Sequence, residues 1–389
     1  MERKEHIMTH ITNVTVLGDD FQLHQGSSVT FENGTITAVG APAPAGAEVV
    51  DGAGGTLIPG FVDVHTHGCA GHDTCDADDE GLRAMARQYA SKGVTSTLAT
   101  SMTIAPERLK NVFETVRRVM DEGTGAATIR GIYMEGPFFN AAKKGCQAGE
   151  YLLNPDFALF SSLNAASGGA VRIVAVAPEL PGAMEFIEKA SKVAKVTLAH
   201  TTANYECAGR GIEAGAGHIT HTFNAMPPFL HRDPGVVGAA LDHENVRMEL
   251  ICDGIHLHPA VIRMMFHAAG AGRLVLVSDS MSAAGVADGE YELGGQKVTV
   301  SNGRATLDDG TIAGSASNLL DCVKNCVRFG VAFEDAVRAA TINPADEIGL
   351  ADHIGSIAVG KEADLVLLNG AFDILSLIHI SEPTRPRLI

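Results

Sequence analysis

The sequence predicts an α/β protein: a (β/α)8 TIM-like barrel carrying a small β-sandwich domain formed from the N- and C-terminal segments. Three observations predict it. Short, near-continuous apolar runs alternate with amphipathic segments across residues 58–345, as in a parallel sheet covered by helices. Eight such units fall within roughly 220 residues, which suits a closed barrel better than an open sheet. The flanking segments, 1–57 and 346–375, read instead as strands and turns.

The N-terminal strands are expected at 11–17, 28–34, 35–40 and 47–52. Asn33-Gly34 between two alternating segments is a strong hairpin signal, and a Pro/Ala/Gly linker follows at 41–46. So small an all-β segment needs further strands to be stable, and 355–370 is expected to rejoin it. The eight barrel strands are expected at 61–65, 94–100, 129–136, 171–179, 196–201, 218–225, 247–256 and 273–280. Amphipathic segments such as 78–93 and 106–120 fill the intervals. Residues 290–300 and 303–311 read as a hairpin-like insertion, and 315–340 as helical. From Ser376 the pattern is lost and two prolines and two arginines appear; 376–389 is expected to be a non-native tail.

Bulk properties narrow the class. The chain is 46% hydrophobic with 43 glycines and 5% aromatic residues, which fits an α/β protein with many tight turns. A net charge of −17 argues against a nucleic-acid or anionic-membrane surface. No apolar run approaches the ~18 residues of a membrane span, and MERKEHIMTH has no signal-peptide core. Seven scattered cysteines, with Cys322 and Cys326 one helical turn apart, read as reduced thiols. These features predict a cytoplasmic protein.

Chemistry gathers at one structural position. In LIPGFVDVHTHG (57–68) His65 and His67 are two residues apart, so on a strand their imidazoles point to one side. A bare HxH pair is equally what two histidines on a solvated strand end would look like. Other expected strand ends, however, carry Glu135, His200, His221, His256 and Asp279. Seven polar groups at one end of a barrel would be costly to bury without a shared partner, and a divalent metal satisfies imidazoles and carboxylates together. Asp279, after an apolar run, is then placed to act as a general base.

These segments resemble the amidohydrolase superfamily and, within it, the N-acetylglucosamine-6-phosphate deacetylase family. The matching stretches are PGFVDVHTHG (59–68), YMEGPFFNAAKKG (133–145), TLAHT (197–201), THTFNAMPP (220–228), DGIHLHP (253–259), VSDSM (277–281) and IAGS (312–315). The resemblance implies a metal-dependent hydrolase that removes acetate from a phosphorylated amino sugar. It implies one or two divalent ions, with zinc the expected metal. Glu135, His200 and His221 match the main ligands; His65 and His67 match a pair that holds a second ion in some members, with Glu135 bridging. Asp279 matches the catalytic acid/base. Asn224, Ala225 and His256 match substrate contacts. Arg232 matches a phosphate-binding arginine that reaches in from a neighbouring subunit, so a homodimer is implied. Gln147 stands where many members carry a histidine that positions the acetyl group, and a glutamine amide can donate a hydrogen bond but cannot carry charge.

Three alternatives follow from the same residues. One is the galactosamine epimer as substrate. A second is a cyclic-amide hydrolase or dipeptidase, many of which bridge their metals with a carboxylated lysine on the fourth strand; VRIVAVAPE (171–179) has none. A third is a scaffold that has lost the chemistry, although such a protein would be expected to lose ligands.

Overall fold

The structure is a computed structural model that describes residues 8–378 and the backbone of 387–388. Its centre is a sheet of eight parallel strands in sequential order: β1 Phe61–Asp63, β2 Val94–Thr100, β3 Thr128–Met134, β4 Val171–Val176, β5 Lys195–Leu198, β6 Ala216–Ile219, β7 Arg247–Ile251 and β8 Leu274–Val277. Beyond the strand ends, β1 and β8 are joined by main-chain bonds from Asp279 N–H to the His65 carbonyl (2.9 Å) and from His67 N–H to the Ser280 carbonyl (2.8 Å). The cylinder therefore closes at the level of the candidate site.

Helices cover the outside because their sequences carry one apolar stripe. Helix α1 (Asp79–Ser91) buries Leu82, Met85, Ala86 and Tyr89, the spacing of a single face. Its start is fixed by Asp78, whose side chain accepts from the Gly81 amide. Burying a side chain such as Leu82 or Met85 contributes about 1.5–3 kcal/mol. The stripe also reaches the site, since the Tyr89 hydroxyl meets Thr66 Oγ1 at 3.0 Å, inside the HxH loop. The interior holds Val62, Leu98, Tyr133, Ile173, Ala175, Ile251, Val275 and Val277. Ala345 and Ile348 pack on this cluster, the former from a short helix, Ile342–Glu347.

The terminal segments meet in one sheet. Leu365–Leu368 pairs antiparallel with Thr56–Pro59, directly before β1. The hydrogen-bonded path continues through Met8–Leu17, Leu23–Glu32 and Thr35–Val39 on one side, and through Ile374–Ile378 and Arg387–Leu388 on the other. Asn33 and Gly34 both have positive φ (51° and 75°), as a two-residue hairpin turn demands. Ser376–Ile378, from the expected non-native tail, lie in the strand Ile374–Ile378; residues 379–386 and 389 of that tail lie outside the described residues. The insertion after β8 is a three-stranded antiparallel sheet of Gly289–Leu293, Gln296–Ser301 and Arg304–Thr306. Cys322 and Cys326 are buried on the helix Leu319–Arg328, and all seven cysteines are free thiols. Among the described residues, no helix is long and apolar enough to cross a membrane.

Candidate metal centre

Seven of the eight barrel strands stop short of their expected ends, β2 alone running to Thr100 as expected, and the functional residues sit just past the stops. His200, His221 and Asp279 each lie two residues beyond the last residue of β5, β6 and β8. All three have positive φ (45°, 27° and 47°), a region that L-residues rarely occupy. Each such residue carries strain of order 1–3 kcal/mol, which persists only where the surroundings enforce it. The surroundings here are explicit. The His200 carbonyl accepts from Asn140 N–H (3.0 Å), and Thr201 N–H donates to the Ala225 carbonyl (3.1 Å). Glu179, at the end of the β4 segment, accepts from Thr202 N–H (2.6 Å) and from the Thr201 hydroxyl, pinning the turn after His200.

This backbone brings together six of the residues expected from the sequence. Glu135 Oε1 lies 3.3 Å from His200 Nε2 and 3.3 Å from His221 Nε2, and the two imidazole nitrogens are 3.1 Å apart. Beside them, His67 Nε2 is 3.2 Å and His65 Nε2 3.5 Å from Asp279 Oδ1. His65 and His67 also face the Glu135 carboxylate, at 3.6 and 3.4 Å. All six are buried. Ring packing fixes them further: Phe139 stacks on His200 (centroids 4.4 Å apart) and Tyr133 packs against His65 at a tilt (4.6 Å).

The residues fit a divalent cation. Ligand atoms 2.0–2.1 Å from a tetrahedral ion stand roughly 3.3–3.4 Å from one another, and the separations above bracket that value. His65 Nε2, which faces Glu135 and Asp279, is buried with no hydrogen-bond partner among the described residues. Two groups have this donor geometry: Glu135, His200 and His221, and His65, His67 and Asp279. Glu135 lies between them.

Electrostatics follows from the burial of opposite charges together. Burial raises the Glu135 carboxyl, but hydrogen bonds with His200 and His221 and the nearby His65 hold it well below the usual range. Asp279 is likewise pushed up by burial and brought below its ordinary value by His65 and His67. For His65 burial acts downward, while Glu249 and Asp279 raise it to about 10. Such basic imidazoles hold protons that a metal must displace, so metal affinity should fall with acidification.

The other expected residues take varied positions. Gln147 is buried and its amide is spent: Nε2 donates to Glu135 Oε2 (2.7 Å), and Oε1 accepts from Thr103 N–H (2.7 Å). It therefore orients the central carboxylate. Asn224 is half-buried beside His221, donating to its carbonyl at 3.2 Å, and Ala225 has a left-handed backbone (φ 52°). His256 is oriented by Asp253, which accepts from Nδ1 at 2.8 Å and leaves Nε2 for a ligand. Arg232 is exposed on the loop before the helix Gly235–Asp242 and shares no bond with the cluster among the described residues. The fourth strand has no lysine, and the carboxylate that faces both ligand groups is Glu135.

Sequence reasoning missed the group beneath the cluster. Glu249, in the middle of β7, accepts from His65 Nδ1 (2.8 Å), His218 Nε2 (3.0 Å) and His221 N–H (2.9 Å). His218 Nδ1 meets Glu347 at 2.9 Å. A glutamate inside the apolar run RMELI was the available signal, since a buried charge needs partners. Burial alone would lower His218, but Glu249 and Glu347 raise it to about 9 from 6.5. A raised histidine stabilises the fold fully below its unfolded value, and that contribution is lost as pH rises through the folded one. The span corresponds to about 3 kcal/mol. The melting temperature of metal-free protein should therefore fall between pH 7 and 10, and His218→Gln should flatten that limb; an equally steep limb in the variant would contradict the assignment.

Known proteins resemble this chain over most of its length. Residues 56–386 match the amidohydrolase family. The chain is 36% identical over 340 residues to N-acetylglucosamine-6-phosphate deacetylase of Bacillus subtilis (strain 168), covering 86% of each. It is 35% identical over 378 residues to the enzyme of that name from Vibrio furnissii, covering 96% of this chain and 94% of the relative. The crystal structure of N-acetyl-D-glucosamine-6-phosphate deacetylase from Mycobacterium smegmatis superposes with a TM-score of 0.89 at 31% identity, covering 97% of this chain and 99% of the other. A closed parallel barrel, a buried His/Glu/Asp cluster at its C-terminal end and a match over most of its length place this chain in the amidohydrolase family.

Proposed function

We propose that the protein hydrolyses the N-acetyl group of N-acetylglucosamine 6-phosphate, giving glucosamine 6-phosphate and acetate. One observation carries the reading: Glu135, His200 and His221 converge at 3.1–3.3 Å with the Asp279 carboxylate alongside, on a chain whose relatives bear that activity in their names. A divalent ion, zinc by the donor set, held by Glu135, His200 and His221 would polarise the acetyl carbonyl and acidify a water by several pH units. Asp279 takes the proton of the attacking water. As the carbon–nitrogen bond breaks, Asp279 returns that proton to the departing amine, so the carboxylate is regenerated. His65 and His67 keep Asp279 ionised for the first transfer and can house a second ion with Glu135 between. His256, through Nε2, together with Asn224 and the Ala225 backbone, lines the approach for the sugar. Arg232, exposed on its loop, is suited to a phosphate bound by a second copy of the chain, in a homodimer. Free thiols throughout suit a cytoplasmic setting.

Acetate release from purified, chelator-stripped protein tests this. Re-addition of zinc should restore release from N-acetylglucosamine 6-phosphate, with less from the galactosamine epimer and little from the unphosphorylated sugar. No acetate from any phosphorylated N-acetyl sugar would refute the proposal.

A further inference from the structure

The geometry points to Glu249 as a positioning residue of the metal centre: one buried carboxylate, locked by His218 and Glu347, fixes the tautomer and orientation of His65 and so the capacity for a second ion. This rests on the reading of the cluster as a metal centre and adds to it a residue on β7 that touches no ion itself.

A carboxylate only accepts, so His65 must carry its proton on Nδ1, 2.8 Å from Glu249 Oε2. The lone pair then lies on Nε2, the atom that is buried without a partner and faces both Glu135 Oε1 (3.6 Å) and Asp279 Oδ1 (3.5 Å). His67 lacks this support, since its Nδ1 is buried with no partner among the described residues. The protein itself thus orients one histidine of the pair.

Glu249 cannot turn, because both its oxygens are engaged. Oε1 meets His218 Nε2 at 3.0 Å, and Oε2 also receives His221 N–H at 2.9 Å. His218 is held in turn, with Glu347 at its other nitrogen. Glu347 lies within 3.6 Å of Lys195 and 3.4 Å of Arg247, the first residues of β5 and β7. The chain of charges therefore runs up the barrel from the N-terminal ends of the strands to His65 at the opposite end. Toward the other group Glu249 holds only the main-chain amide of His221 and leaves that residue's imidazole untouched, so its direct effect falls on His65. A buried ion network is weak evidence for a stabilising role, because apolar side chains fill such space at least as well. Orientation of ligands is what this one supplies, and outer partners of metal-bound histidines commonly change metal affinity 10–100-fold.

Glu249→Gln puts an amide NH2 in place of one carboxylate oxygen, where it faces either His218 Nε2 or the two donors His65 Nδ1 and His221 N–H. Titration of stripped protein with Co(II), read by its visible absorption and by equilibrium dialysis, should show two equivalents for the wild type. In the variant the first equivalent should bind as in the wild type and the second 10–100-fold more weakly. His218→Gln, which frees Glu249 to rotate, should weaken the second equivalent in the same direction and serves if Glu249→Gln does not fold. Nitrogen-15 spectra of histidine-labelled, metal-free wild type, assigned with His65→Gln, should show His65 protonated on Nδ1 alone or on both nitrogens. Two equivalents at wild-type affinity in the variants, or a His65 protonated only on Nε2, would overturn the inference while leaving the proposed activity intact. A wild type that binds a single equivalent would refute the two-ion reading and this inference with it. A wild type that binds none would refute the metal centre itself.

Discussion

Asp279→Asn should lower kcat for acetate release by about 10²–10⁴, the range in which a positioned proton carrier contributes. Asparagine matches the carboxylate in size and can fill its place beside His67 Nε2, 3.2 Å away, but it cannot accept and return a proton. The ligands Glu135, His200 and His221 are untouched, so one tightly held ion should remain. The loss should fall on kcat, with KM changing little, because Asp279 acts on the attacking water and the leaving nitrogen rather than on the sugar. Steady-state kinetics beside elemental analysis separates these effects. A variant that keeps one ion and retains full turnover would remove Asp279 from the mechanism.

Glu135→Gln should have the larger structural consequence, because Glu135 stands between both ligand groups. Its Oε1 lies 3.3 Å from His200 and His221, and its Oε2 receives Gln147 Nε2 at 2.7 Å. An amide at this position presents a donor to Gln147 or to the cation, and either arrangement sets like against like. Metal content should drop below one ion per chain and acetate release should become undetectable. Stabilisation by bound metal supplies an independent readout. An ion at 1,000 times its dissociation constant stabilises a fold by about 4 kcal/mol. Zinc should therefore raise the melting temperature of the wild type by several degrees and leave that of Glu135→Gln unchanged. An equal rise in both would mean that the stabilising ion binds elsewhere.

Much of this was legible in the sequence, for a physical reason. Apolar runs that must be buried on both faces identify the eight barrel strands in order, and Asn33-Gly34 announces its hairpin because few residues accept two successive positive φ angles. The six cluster residues were legible because imidazoles and carboxylates recur where strands end. The strand ends themselves were not. HITHTFNA reads as one strand to 225, yet β6 stops at Ile219, because His221, Phe223 and Ala225 turn to positive φ (27°, 77° and 52°). That turn is imposed by tertiary bonds such as Thr201 N–H to the Ala225 carbonyl, which no local pattern encodes. Glu249 was hidden for a related reason. Its partners His218 and His65 lie 31 and 184 residues away, so its meaning exists only once the barrel has closed. Gln147 reads as a substitution at a substrate position, whereas the fold ties its amide to Glu135 and Thr103.

Anomalous scattering at the zinc absorption edge, from crystals grown with zinc, tests the central claim most directly. The account predicts a strong peak between Glu135, His200 and His221 and a second, weaker peak bordered by His65, His67 and Asp279. His65→Gln/His67→Asn should remove only the second. A strong peak beside His65 and His67 with none between Glu135, His200 and His221, or no peak at either position, would contradict it.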